Sequence, residues 1–314
     1  MKIILIINPK AKSGQALRYF RSVQKVCDTE GIDYWITKAP GDASSRIQHW
    51  CLQNPSDKAL FVGVGGDGTM HEVLNGVAGF TNALVACIPA GSGNDFARSF
   101  QSFPRSHESI VELSKWNGEM IEQHDSAFYE GIESGWFVNN LGIGFDALVA
   151  YSVNKSPLKK WFNRMKIGKL IYVFYLIRHL FTYAPITMEI RVDGKEKSVD
   201  NVWFVTVSNQ PYYGGGMKIA PNADSRDGEL DLTIVHNVSR WKFLAVFISV
   251  FKGNHLRFKE VTTRRGKLIH VHSEQTAKIH ADGEEAGQLS KENSIQIEVH
   301  PQNWTFVRAH KYGS

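Results

Sequence analysis

Residues 61–76 read FVGVGGDGTMHEVLNG. An apolar run leads into four glycines between Gly63 and Gly68, and a helical pattern follows. This stretch constrains the fold more than any other, because a buried strand, a glycine turn and a helix start together make a ligand-binding βα unit. Glycines let backbone N–H groups approach oxygens, and a helix N-terminus favours an anion. Asp67 sits among the glycines, where a mere turn does not demand it, and Thr69 adds a hydroxyl at the helix start. A phosphate site is favoured over a glycine turn without a ligand.

The surrounding pattern supplies the scaffold. KIILII, IDYWIT, ALFVGV and ALVACIPA predict four strands in the first third of the chain. Between them, residues 14–30 place Leu17, Phe20, Val23, Val26 and Cys27 on one helical face, and Gly31 ends that helix. SSRIQHWCLQ and MHEVLNGVA predict two further helices. Strands alternating with helices imply a Rossmann-like α/β domain, a parallel sheet with helices on both faces. Ligands in such sheets sit beyond the carboxyl ends of the strands. GVGGDG formally matches G-x-G-x-x-G, but it follows the third strand. The next strand ends Ile88-Pro89-Ala90-Gly91 without the acid that a dinucleotide site requires, which argues against one. The second loop, PAGSGNDFAR at 89–98, follows the fourth strand and falls beside the first at the same sheet edge. Alone it could be a helix capped by Asn94 or Asp95. Two such loops on neighbouring strand ends favour a shared ligand. Walker A, H-E-x-x-H and G-x-S-x-G patterns are absent, and the 12 histidines form no evident ligand cluster.

Near residue 118 the character changes to short strands and Asp-Gly turns, among them EIRVDGKEKSV, GELDLTIVH and AKIHADGEEAG. The expectation is an α/β domain over 1–118 and an antiparallel β-domain, a sandwich or a barrel, with helical inserts over 119–314. The last segment, WTFVRAH, could return to the first domain. Carboxylates at Asp224, Asp227, Glu229 and Asp231 lie close enough in sequence to hold a hard cation or to form an acidic hairpin turn.

The net charge of +5 and pI near 8.9 suit anionic partners such as nucleotides or acidic lipid surfaces. Three scattered cysteines, with no CxxC, point to a reducing cytoplasm rather than to disulfides or a zinc site. MKIILIINP has too short an apolar run for a signal peptide and reads as a first strand. LIYVFYLIRHLF (170–181) and WKFLAVFISVF (241–251) are too short to span a bilayer and predict buried amphipathic helices. The basic-aromatic stretch before the first of them, with Lys159, Lys160 and Arg164, could touch an anionic membrane surface.

Taken in order, GGDGT (65–69), PAGSGNDFAR (89–98), GGGMKIAPNADSRDGELDL (214–232) and ADGE (281–284) resemble lipid kinases of the diacylglycerol kinase catalytic type. Sphingosine kinases and bacterial lipid kinases share that fold. Asn8-Pro9 with Ser13-Gly14 resembles the family's opening motif, so the likeness spans nearly the whole chain. It implies transfer of the γ-phosphate of ATP to a lipid hydroxyl, in a cleft between an α/β nucleotide-binding domain (1–118) and a β-sandwich lipid-substrate and Mg-binding domain (119–314). It also implies that Asn8, Thr37, Gly65, Gly66, Asp67, Gly68, Thr69, Ser92 and Asn94 form the nucleotide site. Ser92 stands where a threonine is more usual. The resemblance assigns Mg²⁺ to the Asp227 side chain, with backbone carbonyls of Asp224 and Glu229 beside it. Asp67, Asp95 and Asp125 would hold a further Mg²⁺ network through water. Glu284 matches the general base, a role that Asp67 could take instead. Glu285 beside it leaves open which carboxylate faces the cleft.

A membrane lipid at an anionic surface is the implied partner, with peripheral membrane association and a place in phospholipid biosynthesis. No nucleic-acid partner is expected. An exposed strand edge could pair in a homodimer, though nothing demands it. NAD kinases also carry GGDGT, and a non-catalytic nucleotide- or lipid-binding protein is the alternative from another class. Diacylglycerol, phosphatidylglycerol, a sphingoid base and an undecaprenyl-type alcohol all fit as acceptor.

Overall fold

The computed structural model describes residues 1–157 and 170–310. Its first part alternates strand and helix: β1 (Lys2–Ile7), α1 (Gln15–Glu30), β2 (Asp33–Ile36), α2 (Asp42–Gln53), β3 (Ala59–Gly65), α3 (Asp67–Val77) and β4 (Ala83–Pro89). Two shorter helices, α4 (Asp95–Ser99) and α5 (His107–Ser114), follow. The strands pair in parallel in the order β2-β1-β3-β4. Period-two alternation splits their side chains between two cores. Ile4, Ile6, Phe61 and Val85 pack under α2 and α3 with Ile47, Met70 and Val73. Leu5, Leu60, Val62 and Ile88 pack under α1 and α5 with Phe20, Val23 and Ile110. A strand buried on both faces reads as an unbroken apolar run, which is how KIILII and ALVACI read.

The second part is antiparallel. It contains β5 (Ile121–Glu130), β6 (Ser134–Phe137), β7 (Asn140–Gly144), β8 (Ile186–Val192), β9 (Lys195–Ser208), β10 (Tyr212–Tyr213), β11 (Met217–Lys218) and β12 (Leu230–His236). It ends with β13 (Val261–Gly266), β14 (Leu268–His272), β15 (Ala277–Ala281), β16 (Glu284–Leu289) and β17 (Ser294–Val307). These strands enclose a third core that includes Leu141, Val205, Leu232, Ile269 and Ile297, as a β-sandwich-like domain does. Three helices, α6 (Phe145–Lys155), α7 (Leu170–Thr182) and α8 (Arg240–Val250), share a fourth cluster around Phe145, Trp203 and Phe243.

β17 joins the two parts. It runs antiparallel to β5 and β14, then pairs in parallel with β4 at Thr305–Leu84 and Phe306–Val85. WTFVRAH therefore does return to the first sheet. The switch occurs where the register shifts between His300 and Trp304, with Gln302 at φ 52°. The reading of 170–181 and 241–251 as buried helices holds for one stripe of each. Ile171, Leu176 and Leu180 are buried on α7, and Phe243, Val246 and Val250 on α8, while the opposite faces are exposed. No helix among the described residues is long and apolar enough to cross a membrane.

Candidate active site

Both glycine loops leave the carboxyl ends of neighbouring strands, β3 and β4. They touch through bare backbone: a Cβ on Gly66 would lie 2.8 Å from the Cα of Gly91. Ala90 N–H donates to the Gly65 carbonyl at 2.6 Å, and Gly91 N–H donates to Asn94 Oδ1 at 2.9 Å. Asn94 has φ 55°, left-handed backbone that an asparagine tolerates. Asn8, just past β1, donates from Nδ2 to Thr69 Oγ1 at 3.1 Å. Thr37 follows β2 and donates its N–H to the Ile7 carbonyl at 2.9 Å, at the same sheet edge. No side chain caps α3 at Gly66, so its first amides are free of a side-chain cap. Ser92 is exposed on the second loop.

Asp67 and Asp95 flank this floor. Phe96 N–H donates to Asp67 Oδ1 at 2.9 Å, and a Cβ on Gly93 would lie 2.7 Å from Asp67 Oδ2. Burial pushes the Asp67 carboxyl above its ordinary value, against the pull of the Phe96 amide and with the help of the nearby Asp95 charge. Asp95 Oδ2 accepts from Gly215 N–H at 2.6 Å, tying α4 to the glycine run 214–216 of the second part. Arg98 Nε lies 3.5 Å from Asp95 Oδ1.

The ADGE hairpin reaches the loops from the other side. Asp282 and Gly283 both have positive φ, 50° and 89°, as a tight two-residue turn requires. Glu284 Oε1 lies 3.2 Å from the place a Gly68 Cβ would take. Glu285, on the opposite strand face, meets Lys155 at 3.4 Å and Lys278 at 3.9 Å. Glu284 is thus the carboxylate over the phosphate-loop candidate.

Sequence reasoning passed over Asp282, treating its Asp-Gly as a turn signal. Its side chain is 1% exposed and accepts from the amides of Val138, Asn139 and Asn140 at 2.9–3.0 Å. It also meets His71 Nδ1 at 3.0 Å, so α3 and the ADGE hairpin are joined directly. Burial opposes the charge on Asp282, but the His71 imidazole and the strand amides outweigh it and hold the carboxyl below its usual range. Burial likewise works against a proton on His71, and Asp282 outweighs it, so the imidazole holds its proton more tightly than usual. The one signal available was His71, on the predicted helix that follows the Asp67 loop.

The remaining acids do not join this group. Asp125 is buried, and its two oxygens accept from Gln302 N–H and Gly228 N–H at 2.8 Å each. Asp224 is held by Arg226 at 3.0 Å and 3.2 Å. Asp227 pairs with Arg265, which also lies 3.3 Å from Glu229 and 3.6 Å from Asp231. The cation met by the 227–231 carboxylates is therefore a guanidinium. Among the described residues no three His, Cys, Asp or Glu side chains converge as metal ligands. Of the ligands expected for Mg²⁺ at 224–231, Asp227 is the one that would act through its side chain, and here that side chain is engaged by Arg265. A separate cavity of about 350 Å³, lined by residues such as Arg191, His270 and Lys291, contains none of the expected site residues.

A parallel α/β half, a β-sandwich-like half and a carboxylate poised over paired glycine loops define the class of fold. Comparison with known proteins narrows it. Residues 2–123 match the diacylglycerol kinase catalytic domain, and residues 139–307 match the YegS C-terminal NAD kinase beta sandwich-like domain. The Bacillus subtilis protein YtlR, which carries a lipid kinase name, is 32% identical, covering 90% of this chain and 93% of its own. A Mycobacterium tuberculosis diacylglycerol kinase is 31% identical over 93% of this chain and 92% of its own. A solved Bacillus anthracis chain with a diacylglycerol kinase name superposes with TM-score 0.74 at 25% identity, covering 98% of this chain and 95% of that one. Yeast NADH kinase shares the fold alone, with TM-score 0.55 at 10% identity. The chain belongs to the diacylglycerol kinase family of lipid kinases.

Proposed function

We propose that the chain is an ATP-dependent lipid kinase that phosphorylates the hydroxyl of a diacylglycerol-like membrane lipid. Residues 1–118 would bind the nucleotide and 119–314 the lipid. The observation that carries this is Glu284 Oε1, 3.2 Å from the Cβ position of Gly68 and so directly over the GGDGT backbone. The amides of Gly65–Thr69, with Asn8, Thr37, Ser92 and Asn94 around them, hold the phosphates. Glu284 takes the proton from the lipid hydroxyl as its oxygen attacks the γ-phosphorus, and the bond to the ADP oxygen breaks. Phosphoryl transfer needs little covalent chemistry from the protein beyond positioning and charge stabilisation, and this site offers amides and a base without a Walker lysine. Mg²⁺ enters as part of the nucleotide substrate. The acidic turn at Asp224, Asp227 and Glu229, with Asp125 behind it, acts through Arg226 and Arg265 to hold the second domain's edge. Asp67 and Asp95 flank the loops and Glu284 stands over them.

The test is transfer of labelled γ-phosphate from Mg·ATP to a panel of lipids in mixed micelles, with NAD in parallel wells and Glu284→Gln as control. One labelled lipid, lost in the variant, is the expected result. Labelled NADP would make the chain an NAD kinase-like enzyme. ATP binding with no transfer to any acceptor would leave a nucleotide-binding protein.

A further inference from the structure

The outward faces of α7 and α8 are exposed and apolar together. On α7, Leu170, Val173, Phe174, Ile177 and Phe181 fall on one face and are each 45–51% exposed. On α8, Trp241 is 73% and Ile248 68% exposed, one heptad apart. The two faces are contiguous. The Phe181 and Trp241 rings meet edge to face at 5.8 Å. Arg240, opening α8, donates to the Leu180 and Tyr183 carbonyls at the end of α7, at 3.0 Å and 3.2 Å. An exposed apolar patch of this kind on a water-soluble surface marks an interaction site.

We propose that α7 and α8 form one docking face that inserts into an anionic lipid bilayer beside the catalytic hairpin. The proposal deepens the lipid-kinase reading and takes its purpose from it. Three observations choose the occupant. First, the charge on both helices has one sign. Neither 170–182 nor 239–259 contains an Asp or Glu, while Arg178, Lys252, Arg257 and Lys259 are exposed. Glu260, the next acid, is buried and bound by Lys242 at 2.7 Å. Cations around an apolar face match anionic headgroups around acyl chains, whereas a second copy of the same face would bring like charges together. Second, the exposed side chains are rich in aromatics, which suit the boundary between headgroups and hydrocarbon. Among the described residues neither helix is long enough to span, and both would lie in the interface plane.

Third, the face is joined to the site. α7 is tied to α6 by His179 Nε2 and Ser152 Oγ at 2.8 Å, and by the Tyr175 hydroxyl donating to Ser156 at 3.0 Å. α6 in turn reaches the ADGE hairpin through Asn154 Nδ2, which donates to the Gly283 carbonyl at 3.1 Å. Tyr172 lies on the side of α7 that carries Tyr175 and His179. Its hydroxyl is pushed above its ordinary value by desolvation and then by the negative charges of Glu284, Asp67 and Asp95.

The experiment uses the full chain, vesicles of phosphatidylcholine with phosphatidylglycerol, and vesicles of phosphatidylcholine alone. Wild type should sediment with the mixed vesicles in preference to the neutral ones. Brominated acyl chains should quench a part of its tryptophan emission that is missing in Trp241→Phe. The exposed triple variant Phe174→Ser, Trp241→Ser, Ile248→Ser keeps every charge. It should lose mixed-vesicle affinity by on the order of a thousandfold, because each of the three inserted apolar side chains contributes about tenfold. Its melting temperature and ATP binding should be unchanged. Binding that ignores phosphatidylglycerol or survives the triple substitution overturns the proposal. So does a wild-type dimer, in lipid-free sedimentation equilibrium, that the triple variant dissociates, since the face would then be a self-interface. Vesicle binding lost in the variant while wild type transfers phosphate to no lipid would support the docking face and sink the kinase reading alone.

Discussion

Glu284 and Asp282 sit two residues apart, and their surroundings set them different tasks. Glu284 is exposed over Gly68, whereas Asp282 is closed off by three amides and His71. Replacing Glu284 by Gln is expected to lower the rate of transfer by about 10²–10⁴-fold. ATP affinity should hold, because the loop amides are untouched. Single-turnover transfer and calorimetric ATP binding check this, and an undiminished rate would move the base role to Asp67. The Asp282–His71 pair belongs to folding, and its pH dependence has a definite sign. His71 holds its proton above the 6.5 of an ordinary histidine, so its contribution is complete below that pH and is lost as pH rises through the folded value. Asp282 is shifted the other way from 3.8, so its contribution is present above that pH and is lost as pH falls through the lower folded value. Both are fully present only between about pH 4 and pH 6.5. Denaturant titrations should show the stability gap between wild type and His71→Asn at its largest there and shrinking toward alkaline pH. A gap that widens with alkali contradicts the ion pair.

At the scale of elements, the two glycine loops were legible because each lies within one strand–turn–helix unit. The first four strands and α1 were legible for the same reason, since period and burial are local signals. The start of α3 was not. Its first turn is Asp67-Gly68-Thr69, and glycine's low helix propensity hid a helix that the pattern placed at Met70. The Asp282 role was also hidden, because its turn is local while its amide donors come from 138–140. Backbone contact between the loops yields a prediction. Gly91→Ala would drive a methyl into the Gly66 Cα, and the loops would have to part. The expected cost is about 1–3 kcal/mol of stability together with a loss of ATP affinity. Gly79→Ala, with open space around it but φ +80°, should cost stability by backbone strain and leave ATP affinity intact. Thermal melts with and without ATP separate the two. α7 offers a matching contrast: Leu180→Ala, at 1% exposure, should cost about 2–5 kcal/mol, and Ile177→Ala on the outer face almost none.

Across the whole molecule, β17 decides how the two parts are held, and this was the least legible feature. Its partners are β4, β5 and β14, from 84–85, 121–130 and 268–272, and no window of sequence contains those pairings. At its crossing point Trp304 is buried, donates its indole N–H to the Asp125 carbonyl at 3.0 Å, and stacks on His124 with ring centroids 5.0 Å apart. Phe96 and Phe100, from the α4 turn that follows the second glycine loop, pack against the same ring. Trp304→Ala should therefore cost about 3–5 kcal/mol and loosen the nucleotide site as well as the sandwich. His124 makes this junction acid-sensitive. Burial first, and the Arg226 charge besides, bring its imidazole down from 6.5 to about 4, despite Glu122. The unfolded chain binds the proton more readily, so stability falls as pH drops from 6.5 toward 4. This slope runs against that of His71, and the two are separable by substitution. In His124→Gln the loss of stability between pH 6.5 and pH 4 should be shallower than in wild type, while the alkaline loss attributed to His71 should remain. If both slopes persist unchanged in His124→Gln, the acid sensitivity lies elsewhere than at this crossing. If wild type and variant differ as expected, ATP binding followed over the same pH range should weaken with the acid transition, because α4 and the second glycine loop hang on the Trp304 cluster.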